Sequence, residues 1–464
     1  MIPERLAPIL DAVRPLADRF DAAGHRIYLV GGIVRDLVLG RSLGDDTDID
    51  LTTDARPEVT ADLVRGWADA VWDQGARFGT VGLKKGDTLF EITTHRAEAY
   101  SPDSRKPDVS FAEEVEADLS RRDFTVNAMA LRVTGAEGEA PELIDPFGGV
   151  VDLAQGVLRT PLSPEVSFSD DPLRMLRAAR FLAGYGLVPV PELLVAVQAL
   201  SGRIEIVSAE RVRDELSKLL VVDEPSPGLW FLVDNGLADH ILPELPAMRV
   251  EQDPIHRHKD VLAHTIAVVA KTQPSLVVRL AALLHDVGKP KTRSIGPKGV
   301  SFHHHEVVGA RMARERMRAL RYPNDVVEAV TQLVYLHLRF HGYGDDLWTD
   351  AAVRRYVRDA GEHLEELNEL TRCDCTTRNE RKAKMLAARM DALEARIAEL
   401  REREELEAIR PDLYGGAVMA HLGLAPGREV GQALNMLLEL RLDEGPLPEE
   451  EAYRRLDEWW ASRP

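Results

Sequence analysis

Two short segments constrain this chain most: Leu29-Val30-Gly31-Gly32-Ile33-Val34-Arg35-Asp36, and then Asp48-Ile49-Asp50. The apolar run from Ile27 to Val30 reads as a strand, broken by two glycines. Helical spacing follows over residues 33–39, and Gly40 sits where a helix C-cap belongs. Residues 48–51 read as the next strand. On a strand, residues i and i+2 point to one face, so Asp48 and Asp50 set two carboxylates side by side. Adjacent like charges resist joint ionisation unless a cation lies between them. Oxygen ligands that leave open positions suit Mg2+, which then also binds substrate phosphates. Two such ions can activate an attacking hydroxyl and stabilise a leaving pyrophosphate. The Gly31-Gly32 backbone, without Cβ atoms, lets a triphosphate approach the following helix N-terminus and its free N–H groups. Arg35, on the first turn of that helix, is a candidate to hold phosphate oxygens.

Further along, residues 81–83 and 88–93 flank Lys85-Gly86-Asp87 and read as a hairpin. Glu91 is a polar residue in an apolar strand, read either as a third carboxylate of the metal site or as an outward-facing strand acid. Next comes Arg121-Arg122-Asp123-Phe124-Thr125-Val126-Asn127-Ala128-Met129. Five segments, GGIVRD, DTDID, RRDFTVNAMA, DDPLRMLRAARF and SAERVRDELSKLL, occur in that order between about Ile27 and Leu220. As a set they resemble the motifs of the class II tRNA nucleotidyltransferase and bacterial poly(A) polymerase family, within the polymerase β superfamily. The resemblance implies an α+β head with a mixed sheet, followed by mostly helical domains. It implies metal binding at Asp48 and Asp50, triphosphate binding at Gly32 and Arg35, and ribose contacts from Arg122 and Asp123.

The Asp171-Pro172-Leu173-Arg174 segment follows Ser169-Asp170, and Pro172 reads as a helix start. Residues i and i+3 share a helix face, so Asp171 offers an acceptor beside the donors of Arg174. Cytosine and adenine both present an amino donor next to a ring-nitrogen acceptor; guanine and uracil present the reverse order. One Asp/Arg pair therefore accepts C and A and rejects G and U, because a mismatch buries unpaired polar groups. No nucleic acid template is needed. The family motif begins Glu-Asp, whereas this chain has Asp170-Asp171, one carbon shorter. Arg177 and Arg180 continue at three-residue spacing toward phosphates.

The second half carries most of the histidines. His264, His285-Asp286, His305, His337 and Asp374 follow the pattern of the HD phosphohydrolase superfamily, which this region resembles. That resemblance implies one or two divalent ions, a transition metal or Mg2+, activating water against a phosphoester. Its activity would be of phosphatase or cyclic phosphodiesterase type; an HD domain that only braces RNA is the alternative. His304 competes with His305 as ligand, and His256, His258 and His341 read as surface or RNA-facing residues.

At 464 residues the chain is long enough for two to four domains. The expected order is a nucleotidyltransferase head (residues 1–161), a helical base-selecting and RNA-binding neck (162–252), an HD domain (253–384) and a helical tail (385–464). Residues 385–406 read as one charged packing helix. The formal charge of −19 argues only superficially against RNA, since binding depends on local fields, and Arg311 to Arg321 forms a basic cluster. No apolar run reaches the roughly 18 residues a membrane span needs, and the N-terminus lacks a signal-peptide pattern. Cys373 and Cys375 read as ordinary thiols, in keeping with a cytoplasmic protein. The expected function is addition of C, C and A from CTP and ATP to the 3′ end of tRNA, with no membrane and no protein partner. Poly(A) polymerase, or an A-only or CC-only adding enzyme, is the alternative.

Overall fold

The computed structural model describes residues 6–41, 48–72, 79–99, 108–136, 139–250, 260–296, 299–342, 348–375, 380–404 and 409–463. The chain forms two compact units, Met1–Ile241 and Leu242–Pro464.

The first unit is built on β1 (Ile27–Val30), β2 (Ile49–Thr53), β3 (Ala70–Trp72), β4 (Thr80–Lys85) and β5 (Thr88–Thr94). A separate hairpin, β6 (Arg96–Ala99) and β7 (Asp108–Phe111), precedes β8 (Ala130–Val133) and β9 (Glu142–Ile144). The main sheet runs β3-β4-β5-β2-β1-β8-β9. It is mixed: β2 pairs with β5 in parallel, and β1 lies antiparallel to β2 and β8. β1 reads as an unbroken apolar run because all four of its residues are buried. Tyr28 and Val30 pack with Val115, Leu119, Ala128 and Ala130. Nearby in sequence, the Ala7–Ala22 helix buries Leu10, Val13, Leu16, Ala17 and Phe20, an apolar stripe at helical spacing.

After the sheet, helices take over, as the sequence predicts. One boundary differs. Ser169 and Asp170 do not flank a helix start; they end a separate helix, Pro164–Asp170. Ser163 caps that helix by accepting from the Val166 amide, with Pro164 in its first turn. The chain becomes extended at Asp171, and the next helix is Leu173–Tyr185, preceded by Pro172.

In the second unit, helices Val261–Lys271, Leu276–Leu284, His305–Ala319, Asn324–Leu336 and Leu364–Asp374 surround the histidine cluster. A hairpin of Arg293–Gly296 and Gly299–Phe302 interrupts them, a strand pair within a region expected to be mostly helical. Its signal is the run Ser294-Ile295-Gly296-Pro297-Lys298-Gly299, a turn composition between short β-prone segments. The long charged helix spans Glu380–Arg403. It buries Leu386, Met390, Leu393, Ile397 and Leu400 at alternating spacings of four and three, so it is a packing helix. Leu413, Val418, Val430, Ala433, Leu437, Ala452 and Leu456 form the core of the last three helices. Neither cysteine is in a disulfide, and burial pushes the Cys373 thiol up to about 11, which keeps it protonated. Among the described residues, no helix is long and apolar enough to cross a membrane.

Candidate functional sites

Two clusters of charged side chains stand out, one in each unit. In the first, β1 ends in a sharp turn at Gly31, whose φ of 73° lies in the left-handed region that favours glycine. An added Cβ there would lie 3.2 Å from Nη1 of Arg122 and 3.7 Å from Oδ2 of Asp50, so both groups close over the bare backbone. Asp48 immediately precedes β2 and Asp50 is its second residue, with the buried Ile49 between them. The β2–β5 register sets Glu91 directly beside Asp50. Asp48, Asp50 and Glu91 are all exposed residues. Asp50 stays open at one side, yet packing around its carboxyl raises the pKa. Glu91 and Asp48 add to the rise, and Arg122 opposes it. The carboxylates therefore repel one another as they stand, which is the condition a bound cation relieves.

Next to this strand end lies a cavity of about 500 Å3 lined by Arg122, Asp123, Asp171, Arg174, Arg177 and Arg211, among others. Asp123 is buried; its Oδ1 accepts from the Phe124 amide and Asn127, and its Oδ2 from Arg177 at 2.8 Å. Burial alone would raise its pKa, but Arg177 and Asn127 bring it down to about 2. Asp171 Oδ1 accepts from the Leu173 amide, and its Oδ2 pairs with Arg211 Nη2 at 2.9 Å. Arg174 donates to Ser167 Oγ at 2.9 Å and to the Arg121 carbonyl. Arg122 pairs with the buried Asp118 at 3.2 Å.

The three other arginines expected at phosphates are committed to partners. Arg35 is buried, bonded to Asp36 and to Asn127 (2.8 Å), and lies over the Tyr185 ring. Arg180 pairs with Glu215 at 2.7 Å, and Arg177 bridges Asp123 and Glu215. Sequence reasoning missed Glu215 and Arg211, both from the helix Ala209–Leu220. The signal for Glu215 was present: it shares the buried face of Val212, Leu216 and Leu219, where a lone acid needs a cationic partner.

The second cluster sits where several helix ends converge. His264 Nε2 lies 2.8 Å from Asp374, and His285 Nε2 lies 3.2 Å from Asp286 and 3.4 Å from Asp374. His305 Nε2 is 3.4 Å from Asp286 and 3.2 Å from His337 Nε2. His285, His305 and His337 each turn Nδ1 to a backbone carbonyl, of Ala282, Phe302 and Val334. That turns the Nε2 atom of each of these three rings inward, the arrangement metal-ligating histidines use. His264, His285 and Asp286 form one group of ligand atoms spaced for a metal; Asp286, His305 and His337 form a second.

His285 Nε2 and Asp286 Oδ1 are buried and find no hydrogen-bonding geometry among the described residues, so the donor set fits a divalent cation. Burial would lower the His285 pKa, but the two carboxylates raise it to about 10, while burial and the His285 charge lower His337 to about 3. Lys289, unforeseen in the sequence, pairs with Asp286 at 2.6 Å. His305 stands in the cluster; His304 is largely exposed beside it. His256 and His258 lie outside the described residues, as does the His341 side chain.

The close approach that assembles this centre runs through Gly288, where an added Cβ would lie 2.2 Å from the His305 carbonyl and 2.8 Å from the Gly309 amide. Both are backbone atoms and cannot turn aside. Gly288→Ala is therefore expected to destabilise the second unit by about 1–3 kcal/mol or more. Urea unfolding monitored in that unit would reveal it; an unchanged midpoint would mean that the backbone here is not tightly packed.

Comparison with known proteins places these sites in a family. The family described as the poly(A) polymerase head domain matches residues 27–159. A probable RNA- and SrmB-binding site of polymerase A matches residues 189–248, and the HD domain residues 261–403. An A-adding tRNA nucleotidyltransferase of Deinococcus radiodurans is 37% identical over 352 residues, covering 72% of this chain and 77% of that enzyme. A CCA-adding enzyme of Levilactobacillus brevis is 36% identical over 235 residues, covering 50% of this chain and 56% of that enzyme. In fold, the chain is similar to the Bacillus stearothermophilus CCA-adding enzyme solved in complex with CTP. That match has a TM-score of 0.67 at 23% identity and covers 100% of this chain and 99% of that one. The Thermotoga maritima CCA-adding enzyme complexed with tRNA gives 0.60 at 20% identity, covering 98% and 96%. With motif order, head architecture and a relative matched over most of its length in agreement, this chain belongs to the tRNA nucleotidyltransferase and poly(A) polymerase family and carries an HD domain.

Proposed function

We propose that the chain adds C, C and A to the 3′ end of tRNA, taking CTP and ATP and releasing pyrophosphate without a nucleic acid template. The observation that carries this reading is the single cavity wall on which Asp171 and Arg174 stand, beside the Asp48–Asp50–Glu91 edge of the sheet. The RNA 3′ hydroxyl attacks the α-phosphorus of the bound nucleotide, the bond to the β-phosphate breaks, and pyrophosphate leaves. Asp48 and Asp50, with Glu91 beside them, would hold Mg2+. When bound, it neutralises phosphate charge and lowers the pKa of the attacking hydroxyl.

We assign triphosphate contacts to Gly31, Gly32 and Arg122, and the ribose to Arg122 and Asp123. Arg35, Arg177 and Arg180 reach phosphates only by exchanging the carboxylates they now hold; until then they fix Asp123 and the base-reading helix in place. Arg211, paired to Asp171, holds that carboxylate in place as an acceptor. Residues 1–161 would act as the catalytic head, 162–252 as the base-selecting and RNA-binding neck, 253–384 as the HD domain and 385–464 as the tail, working in the cytoplasm. Incubation with ATP alone tests the rival outcome: long A tails on unrelated RNA would identify a poly(A) polymerase. A second reading has its own support, because the relative matched over most of this chain is an A-adding enzyme.

For the second unit the proposal is a divalent metal held by His264, His285, Asp286 and Asp374, with His305 and His337 completing a site that shares Asp286. When bound, it supplies an activated water for phosphoester hydrolysis, of phosphatase or cyclic phosphodiesterase type. Mn2+ at about a hundred times its Kd should stabilise the unit by about 2.7 kcal/mol. Thermal unfolding of wild type and Asp286→Ala, each with and without the ion, checks this. A stabilisation that persists in the variant would place the ion elsewhere.

A further inference from the structure

The basic cluster of the His305–Ala319 helix has no part in either site described above. Arg311, Arg314 and Arg318 are exposed and follow one another at spacings of three and four, so they share one helix face. They rise along it by about 4.5 and 6 Å. None of the three guanidinium groups forms a hydrogen bond or ion pair with a described residue. Other arginines of this unit are neutralised: Arg316 by Glu244, Arg339 by Asp359, Arg354 by Glu404 and Arg372 by Glu394. In a chain of net charge −19, an unpaired line of guanidinium groups is a local field opposite to the total.

Beside that line, between this helix and Asn324–Leu336, opens a cavity of about 490 Å3. Arg311, Arg314, Glu328, Thr331, Gln332 and Tyr335 line it. Tyr335 is 47% exposed, an aromatic ring left in solvent at the cavity wall. His337 follows two residues later, turned about 200° around the helix axis and buried in the metal cluster, so the cavity faces away from that centre. An aromatic platform flanked by unpaired arginines is what an unstacked nucleotide needs: the ring takes the base face and the guanidinium groups take the phosphates. Glu328, from Asn324–Leu336, adds an acceptor for an exocyclic amino group, while on the His305–Ala319 helix the exposed Glu315 is the one acid between Arg311 and Arg318.

We propose that this face binds an RNA strand, with one unstacked nucleotide against Tyr335 and successive phosphates along Arg311, Arg314 and Arg318. The proposal rests on the reading of the chain as an enzyme that acts on RNA ends. A regular line of unpaired guanidinium groups beside the cavity favours a phosphate backbone, and a protein partner is the other outcome the test reads.

The test uses the full chain and a tRNA transcript lacking its last three nucleotides, with Kd measured across a KCl series. Combined Arg311→Gln, Arg314→Gln and Arg318→Gln should weaken binding at least roughly tenfold at about 0.1 M salt. The slope of log affinity against log salt should become shallower by about 2 to 3, since each lost phosphate contact removes roughly 0.7–0.9. Tyr335→Ala should weaken binding roughly fivefold or more with the slope unchanged. Nucleotide incorporation at saturating tRNA should keep its kcat in both variants, which also shows that they fold. If wild type binds the transcript and both variants match it in Kd and slope, the proposal is overturned. It is overturned equally if the variants change only the sedimentation of the protein, which would make the face a protein interface. Failure of the wild type itself to bind the transcript would instead sink the reading of the chain as an RNA-end enzyme.

Discussion

Asp50→Asn is expected to lower nucleotide incorporation by about a thousandfold while leaving the protein folded. The substitution keeps the size of the side chain and removes one of the charges that would hold Mg2+. A metal at such a site stabilises transition-state charge by several kcal/mol, and each 1.4 kcal/mol is tenfold in rate. Stability should respond differently. Packing, Glu91 and Asp48 already raise the Asp50 carboxyl, so its charge is not a stabilising feature of the unliganded fold. The unfolding midpoint of Asp50→Asn should therefore lie within about 1 kcal/mol of wild type, or above it. Incorporation and thermal unfolding measured on the same preparation separate the two effects. Lost incorporation together with a lowered midpoint would make Asp50 a structural group; full activity would move the metal elsewhere.

Asp171→Asn is expected to reduce the preference for CTP over UTP, in kcat/KM, by at least about a hundredfold. Asparagine can turn a donor toward the position where Asp171 can only accept. The acceptor-beside-donor order that suits cytosine and adenine is then no longer enforced. A site built to hydrogen-bond one edge rejects the wrong edge by leaving buried polar groups unpaired, which costs about 1–3 kcal/mol for each group. Loss of Arg211 as a partner adds to the effect, since that ion pair now fixes the carboxylate at 2.9 Å. Single-turnover incorporation of the four nucleotides gives the ratio directly. An unchanged CTP:UTP ratio would remove Asp171 from base choice.

Local signals carried much of this architecture. The β1–Gly31–helix unit, the β4–β5 hairpin and the long packing helix all follow from apolar period and turn residues, and they are found where expected. The interval between the Asp171 segment and its neighbours was read less well. Ser169 and Asp170 look like helix-start residues, but Ser163 and Pro164 begin a helix earlier and run it through them. Non-local pairing was not legible from local pattern, which left Glu91 open between a third carboxylate and an outward-facing strand acid. That Glu91 stands beside Asp50 depends on the parallel register of β2 and β5, which no local pattern encodes. The partners of Arg177 and Arg180 had the same difficulty. Spacing put them on one helix face, but Glu215, which occupies them, comes from a helix about 35 residues later. In the second unit the residue types of the candidate cluster were legible from their order. The choice of His305 over His304 needed the backbone, because His304 adopts φ 58° ahead of the helix and leaves its ring in solvent.

The most direct test of the central claim uses one nucleotide and one RNA. A tRNA transcript lacking its last three residues is incubated with CTP alone, and the product length is read at single-nucleotide resolution. A site that selects C and A through Asp171 and Arg174 and counts on the RNA end should add two residues and stop, then add one more when ATP is supplied. No extension with CTP, combined with a single A added to a transcript already ending in CC, would contradict this account and establish the chain as an A-adding enzyme.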